Sequence, residues 1–344
     1  MKMNKIHGGD IYRNHVQIDF SVNVNPFGIP EAVEKALYEA VRTCSKYPDI
    51  HAERLKQEVG KMLKLLEEYL LFGNGASELF LAVIHAIQPK KTVIPVPSFY
   101  GYEYAANAVA QEVIYYEMKK ENAFCLDEAF FEVLTEDVDL LFLANPNNPT
   151  GSLIEQDYLK RLLHYCKKHG IYVVLDECFI EFCTQDVSML KEIEIFENVM
   201  IIRAFTKIYA IPGVRLGYLI CSNQMLLEKI KRQLPEWNLS NFAQQAGCAC
   251  AKEHAFIEQT AVFVGEERKI LEDNLKSMGF LVYPSDADFL LLYSEKPLYD
   301  RLLEHGILIR NCENFRGLSK GFYRIAVKSR AENEILLKLI GEIQ

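Results

Sequence analysis

Apolar residues along this chain fall into short unbroken runs, separated by stretches with helical spacing. Tyr69–Phe72, Thr92–Val96, Val138–Ala144, Ile171–Leu175, Val199–Ile202 and Leu216–Cys221 each read as a strand. Continuous rather than alternating apolar character marks strands buried on both faces. Helices are predicted between them. Pro30 opens one in which Val33, Ala36, Leu37, Ala40 and Val41 share a face. Ser77–Ile87 is another, and so is the amphipathic Glu155–His169, closed by Gly170. Strands alternating with helices predict an α/β fold, a mostly parallel sheet covered on both sides. The pattern changes near residue 259, where FLLLY (Phe289–Tyr293), ILIR and YRIAV lie among helices. The expected division is an N-terminal arm of 1–30, a large domain of 31–258 and a small α+β domain of 259–344, with the arm packing on the small domain.

The polar residues that stand out lie at the carboxyl ends of these strands, where open α/β sheets bind ligands. GNGAS at 73–77 follows one strand and opens a helix. Its glycines let the backbone approach a ligand, and Gly75, Ala76 and Ser77 would present amides and a hydroxyl to an anion. An ordinary strand-to-helix turn reads the same way. Asp176 ends an apolar strand, so it either caps a helix or pairs with a cation. The loop after Ile202 holds Arg203, Thr206, Lys207 and Arg215. Only a lysine among these can form a Schiff base with an aldehyde. Burial beside Arg203 and Arg215 would favour its neutral, nucleophilic form. A plain loop lysine is the alternative.

One molecule, pyridoxal 5′-phosphate, explains these features together. Lys207 would take its aldehyde. Ser77, Thr206, Arg215 and the GNGAS amides would take its phosphate. Asp176 would keep its ring nitrogen protonated, making the ring an electron sink. Asn148, in NPNNPTG (145–151), would donate to the ring hydroxyl, and Phe99 would stack on the ring.

Composition narrows the field. The 344 residues are 50% apolar with a net charge of −9, which argues against an exposed nucleic-acid surface. There is no run of 18 apolar residues and no apolar leader, so a cytoplasmic protein with no membrane contact is expected. The nine cysteines read as reduced thiols. Cys178/Cys183 and Cys248/Cys250 lack matching second pairs, so no metal is expected. A dinucleotide site is disfavoured because GNGAS lacks a third glycine.

NNPTG (147–151), DE (176–177) and TKxxAxPGxRxGY (206–218), in that order, resemble the fold-type-I aminotransferase superfamily over essentially the whole chain. The resemblance implies a seven-stranded, mostly parallel sheet in the large domain and a homodimer with shared active sites. Two groups within it compete, histidinol-phosphate aminotransferases and threonine-phosphate decarboxylases. HGGDI (7–11) with DFSVNVNPFG (19–28), Phe179 in DECFIEF, and the segment 307–329 are similar to the decarboxylases. That implies conversion of L-threonine O-3-phosphate to (R)-1-amino-2-propanol O-2-phosphate and CO2, in cobalamin side-chain synthesis. A transaminase using 2-oxoglutarate or a phosphoserine decarboxylase is the alternative. By the same resemblance Arg324 would hold the substrate carboxylate. Arg310, with His7 and Asn23, would hold its phosphate. Tyr47 would reach the cofactor phosphate of a neighbouring subunit.

Overall fold

The computed structural model of the chain describes residues 8–343. Its strands begin with β1 (Ile18–Asp19), β2 (Leu70–Gly73), β3 (Lys91–Val96), β4 (Glu112–Glu117), β5 (Leu140–Ala144), β6 (Tyr172–Asp176) and β7 (Val199–Ala204). They continue with β8 (Gly217–Ile220), β9 (Leu281–Val282), β10 (Phe289–Tyr293), β11 (Ile307–Leu308), β12 (Arg310–Asn311) and β13 (Phe322–Ala326).

Seven strands form one sheet in the order β2-β8-β7-β6-β5-β3-β4. Only β8 runs against its neighbours, β2 and β7. As a result β2, β3, β5, β6 and β7 all end on one edge of the sheet, and β8 begins there. The six apolar runs all lie in this sheet. The seventh strand, β4, holds the apolar run Val113–Tyr116 between Glu112 and Glu117, which the sequence reading did not single out. It is an edge strand whose residues are exposed or half-buried, because one of its long sides has no neighbouring strand.

Side chains of β5 alternate between the two faces. Leu141 and Leu143 pack in the core with Leu159, Leu162 and Leu163 of the helix Gln156–Lys168. Leu140 and Phe142 pack with Leu79, Phe80, Val83 and Ile84 of the helix Ala76–Ile87. Each fully buried leucine of this kind contributes roughly 1.5–3 kcal/mol. No helix among the described residues is long and apolar enough to cross a membrane.

A second sheet, β12-β13-β10-β9, is antiparallel throughout. The segment ILIR is divided between two sheets. Ile307 and Leu308 pair in parallel with β1, whereas Arg310 starts β12 opposite Arg324 of β13. Ala326 also donates its N–H to the Phe20 carbonyl at 2.9 Å, laying the N-terminal segment along the small sheet. The helix His254–Ser277 runs unbroken through position 258.

Candidate active site

A cavity of about 370 Å³ opens where the strands of the large sheet end, facing the small sheet. Asn23, Ala76, Ser77, Phe99, Asn148, Asp176, Thr206, Lys207, Arg215, Arg310 and Arg324 all line it. These residues are spread from position 23 to position 324, and the strand ends bring them together. Gly75 abuts the cavity through Arg215. Tyr47 lies elsewhere, 82% exposed and against the Trp237 ring at 5.0 Å. His7 lies outside the described residues.

One end of the cavity is built for an anion. Gly75 caps the helix Ala76–Ile87 with φ 78° and ψ 169°. A Cβ at Gly75 would stand 2.5 Å from Arg215 Nη2, so the missing side chain is what admits the guanidinium. Gly217 is as confined, with Ala76 N at 2.7 Å from a Cβ built there. Bare backbone at 75 and 217 therefore brings Arg215, the Ser77 hydroxyl and the helix N-terminus to one spot, with Thr206 facing them.

Asp176 sits deeper. Its Oδ1 accepts the Cys178 N–H at 2.9 Å and its Oδ2 accepts the Tyr102 hydroxyl at 2.5 Å. Tyr102 is fixed by stacking on Phe142 and by an edge contact to Phe99. Burial pushes the Asp176 carboxyl up, with Cys178 and Tyr102 opposing the rise. The carboxylate caps a tight turn and no cation pairs with it among the described residues, so a cationic group in the cavity would relieve it. Tyr102 escaped the sequence reading because a helical tyrosine carries no motif, and only the fold brings it under Asp176.

Lys207 is half-buried, and desolvation pushes its amine down, against the pull of Asp288 and with help from Arg324 and Arg215. Arg203, expected beside Lys207, faces away from it. Alternation along β7 turns Arg203 from the cavity that Ala204 lines. Its Nε and Nη2 donate to Glu177 Oε2 at 3.0 and 2.7 Å, and Nη2 also donates to Ser188 Oγ at 2.6 Å. The buried pair thus ties the end of β6 to β7 just behind Asp176 and Lys207. Asn25 holds the lysine's loop from the other side. Its N–H donates to the Lys207 carbonyl at 3.0 Å, and its Nδ2 to the Ile208 carbonyl at 2.7 Å.

Arg310 and Arg324 are 5% and 6% exposed, so neither is a surface residue at a strand end. Arg324 donates to the Asn148 Oδ1, and to the Ser21 carbonyl at 2.9 Å, over the Phe289 ring. Its Nε has no hydrogen-bond partner among the described residues, and neither has Asn23 Oδ1. Burial lowers the Arg324 guanidinium to about 10. Arg310 donates to Asn314 Oδ1 at 2.7 Å over the Phe315 ring. Phe179 lines the cavity with no hydroxyl to offer. The arrangement can hold two anions beside a lysine amine that is pushed down and a buried carboxyl that is pushed up.

Comparison with known proteins places the fold. The chain matches the model for aminotransferase class I and II over residues 15–340. Threonine-phosphate decarboxylase of Salmonella typhimurium is 33% identical over 352 residues, covering 99% of this chain and 97% of that one. An adenosylcobalamin biosynthesis bifunctional protein of Leptospira interrogans is 34% identical, over 95% of this chain and 38% of its own length. The solved histidinol-phosphate aminotransferase of Clostridium acetobutylicum has a TM-score of 0.89 at 33% identity, covering 95% of this chain and 98% of that one. This chain therefore belongs to the aminotransferase class I and II family.

Proposed function

We propose that the chain decarboxylates L-threonine O-3-phosphate, giving (R)-1-amino-2-propanol O-2-phosphate and CO2 for cobalamin side-chain synthesis, with pyridoxal 5′-phosphate as cofactor. The observation that carries this reading is the pair Arg310 and Arg324. They are direct partners across β12 and β13, and both open into the cavity that holds Lys207. Directly opposed residues on antiparallel strands have Cβ atoms about 4.5–5.5 Å apart. A phosphorylated α-amino acid carries its two anions on neighbouring carbons, at a matching spacing. The planar fork of arginine suits carboxylate and phosphate alike. Decarboxylases of this name are among the proteins this chain is similar to.

The residues present fit the cofactor. The bare backbone at Gly75 leaves a cradle for a phosphate among Ser77, Thr206 and Arg215. Asp176 would face the ring nitrogen, Asn148 the ring hydroxyl, and Phe99 the ring face. When bound there, the group supplies a sink for the electron pair of a bond broken at the substrate Cα. Arg324 and Arg310 hold the carboxylate and phosphate and so orient Cα. Phe99, Tyr102 and Phe179 give the cavity an apolar wall. Lys207 Nζ is the group positioned to give Cα a proton after CO2 leaves. A homodimer is part of the reading. Tyr38, Val41, Tyr47 and Ile50 are exposed close together in sequence, and Tyr47 of one copy would reach the phosphate cradle of the other. All nine cysteines are free thiols, which supports a reducing, cytoplasmic setting.

The test is CO2 release from L-threonine O-3-phosphate, run beside phosphoserine and beside a transamination assay with histidinol phosphate and 2-oxoglutarate. CO2 with aminopropanol phosphate is expected. Glutamate without CO2 would replace the reading with an aminotransferase, and faster CO2 release from phosphoserine would change the substrate. A visible absorption band in wild-type protein, lost in Lys207→Ala, tests the cofactor separately.

A further inference from the structure

Arg310 owes its position to the turn that follows β12. Asn314 Oδ1 accepts from Arg310 Nη2 at 2.7 Å, and the Phe315 ring lies 5.1 Å from the guanidinium carbon. Phe315 itself lines the cavity. The turn is tight, with the Phe315 N–H donating to the Cys312 carbonyl and the Leu318 N–H to the Phe315 carbonyl, both at 3.0 Å. Wherever this turn sits, the Arg310 guanidinium follows.

The next residue, Arg316, reaches across to elements of the large sheet. Its Nη2 donates to Glu103 Oε1 at 2.8 Å and its Nε to Glu103 Oε2 at 3.4 Å, the two-point geometry of a guanidinium on a carboxylate. Its Cζ stands 3.9 Å from the centroid of the Tyr115 ring on β4, a cation–π contact. Glu103 belongs to the helix Tyr100–Ala106, which also carries Tyr102, the donor to Asp176. A Cβ built at Gly317 would lie 3.3 Å from Pro97 N, so the turn's backbone rests just past the end of β3. The consecutive residues Asn314, Phe315 and Arg316 thus connect Arg310 to the other side of the cavity. We propose that Arg316 is a positioning residue for the substrate phosphate: clasped to Glu103 and Tyr115, it fixes the turn that aims Arg310 into the cavity. The inference rests on the reading of Arg310 as the group that holds the phosphate.

The two ends of the clasp are unequally anchored. On the helix side, Tyr102 is buried, stacked on Phe142 and bonded to Asp176. The turn has no such buried anchor in Arg316, whose side chain is 46% exposed against 22% for Glu103. Opening the clasp therefore releases the turn and leaves the helix in place. Arg310 then spends less time aimed into the cavity, and the apparent affinity for the phosphate falls by the fraction lost. Lys207 and Asp176 are held by other elements and keep their geometry. Such a loss appears in KM and spares kcat. Water screens a half-exposed pair, so the effect is modest.

The experiment measures kcat and KM for CO2 release from L-threonine O-3-phosphate by the full chain loaded with pyridoxal phosphate. The variants are Arg316→Gln, Arg316→Lys, Glu103→Gln and Arg310→Ala, the last with and without Arg316→Gln. Thermal midpoints are recorded in parallel. Arg316→Gln should raise KM roughly 3- to 10-fold, the loss of an exposed ion pair and a cation–π contact together. Its kcat should stay within about twofold of wild type. Arg316→Lys keeps the charge without the planar fork and should recover part of the loss, and Glu103→Gln should raise KM in the same direction. In the Arg310→Ala background, Arg316→Gln should leave kcat/KM unchanged, because the group it acts through is gone. An unchanged KM in Arg316→Gln overturns the proposal, and so does a loss that persists undiminished in the Arg310→Ala background, the mark of a purely structural role. Should Arg316→Gln fail to fold, an unchanged KM in Glu103→Gln overturns it equally. A wild-type protein that releases no CO2 takes down the proposed function and this inference with it, whereas an active wild type with insensitive variants removes the clasp alone.

Discussion

Replacing Gly75 with alanine tests the anion cradle at its narrowest point. Gly75 holds φ 78° and ψ 169°, a corner of backbone space nearly reserved for glycine, where a side chain costs about 1–3 kcal/mol. The new Cβ would also lie 2.5 Å from Arg215 Nη2 and 3.1 Å from its Cζ, so the guanidinium has to move out. If it leaves, a charge-assisted hydrogen bond to the cofactor phosphate goes with it, about 1.5–3 kcal/mol. That corresponds to a roughly 10- to 100-fold weaker Kd. The assay is titration of protein stripped of cofactor with pyridoxal phosphate, followed by its visible band. Gly28→Ala is the control. Gly28 also has positive φ, at 77°, but nothing lies within 4 Å of its Cβ position. It should lose stability and keep its affinity. If Gly75→Ala binds the cofactor as tightly as wild type, or Gly28→Ala loses as much affinity, the argument from Arg215 is wrong.

Three further outcomes are expected. Tyr102→Phe removes the hydroxyl donor to Asp176, a bond to a charged group worth about 1.5–3 kcal/mol, so kcat/KM should fall roughly 10- to 100-fold; unchanged kinetics would show that Asp176 does not need it. Arg203→Met leaves Glu177 buried and unpaired and should cost about 3–5 kcal/mol in urea unfolding. In the double variant Glu177→Leu/Arg203→Met most of that loss should return, less about 1–3 kcal/mol for the Met189 N–H, which now donates to Glu177 at 3.0 Å; strictly additive losses would remove the coupling. Asp288 holds its proton up to about pH 7 in the folded chain, against 3.8 ordinarily. The native state therefore binds the extra proton between those values, and this group's contribution is favourable at low pH and lost as pH rises toward 7. Asp288→Asn should be more stable than wild type at pH 8, by a few kcal/mol, with the difference vanishing below about pH 4; denaturant titrations at the two pH values check it.

Most of the large sheet was legible in the sequence because its central strands are buried on both faces and need continuous apolar residues. β4 was missed although it carries the apolar run Val113–Tyr116, a short stretch bounded by Glu112 and Glu117. The division of ILIR between two sheets was also hidden. Three of its four residues are apolar whether they pair with β1 or β13, and only the tertiary pairing separates them. Among site residues, those carried by motifs were easy to find: Ser77, Asn148, Asp176, Lys207, Arg215. Tyr102 and Asp288 carry no local pattern, and their meaning comes from what surrounds them.

Arg203 shows where the two kinds of information part. Its place four residues before Lys207 is a fact of the sequence, and so is the need of a buried cation for an anion. Which anion it finds depends on the face of β7 it occupies. The strand's alternation sends it to Glu177 and leaves the cavity to Ala204, and the short helix Phe205–Ile208 that follows brings Thr206 and Lys207 there. The sequence by itself determined the chemistry available here: one amine, one strand-end carboxylate, glycines before a helix, and arginines late in the chain. Only the tertiary structure decided which charges share a low-dielectric space. Coulomb energies and pKa values depend on distance and burial, and those arise from strands far apart in the chain meeting at one sheet edge.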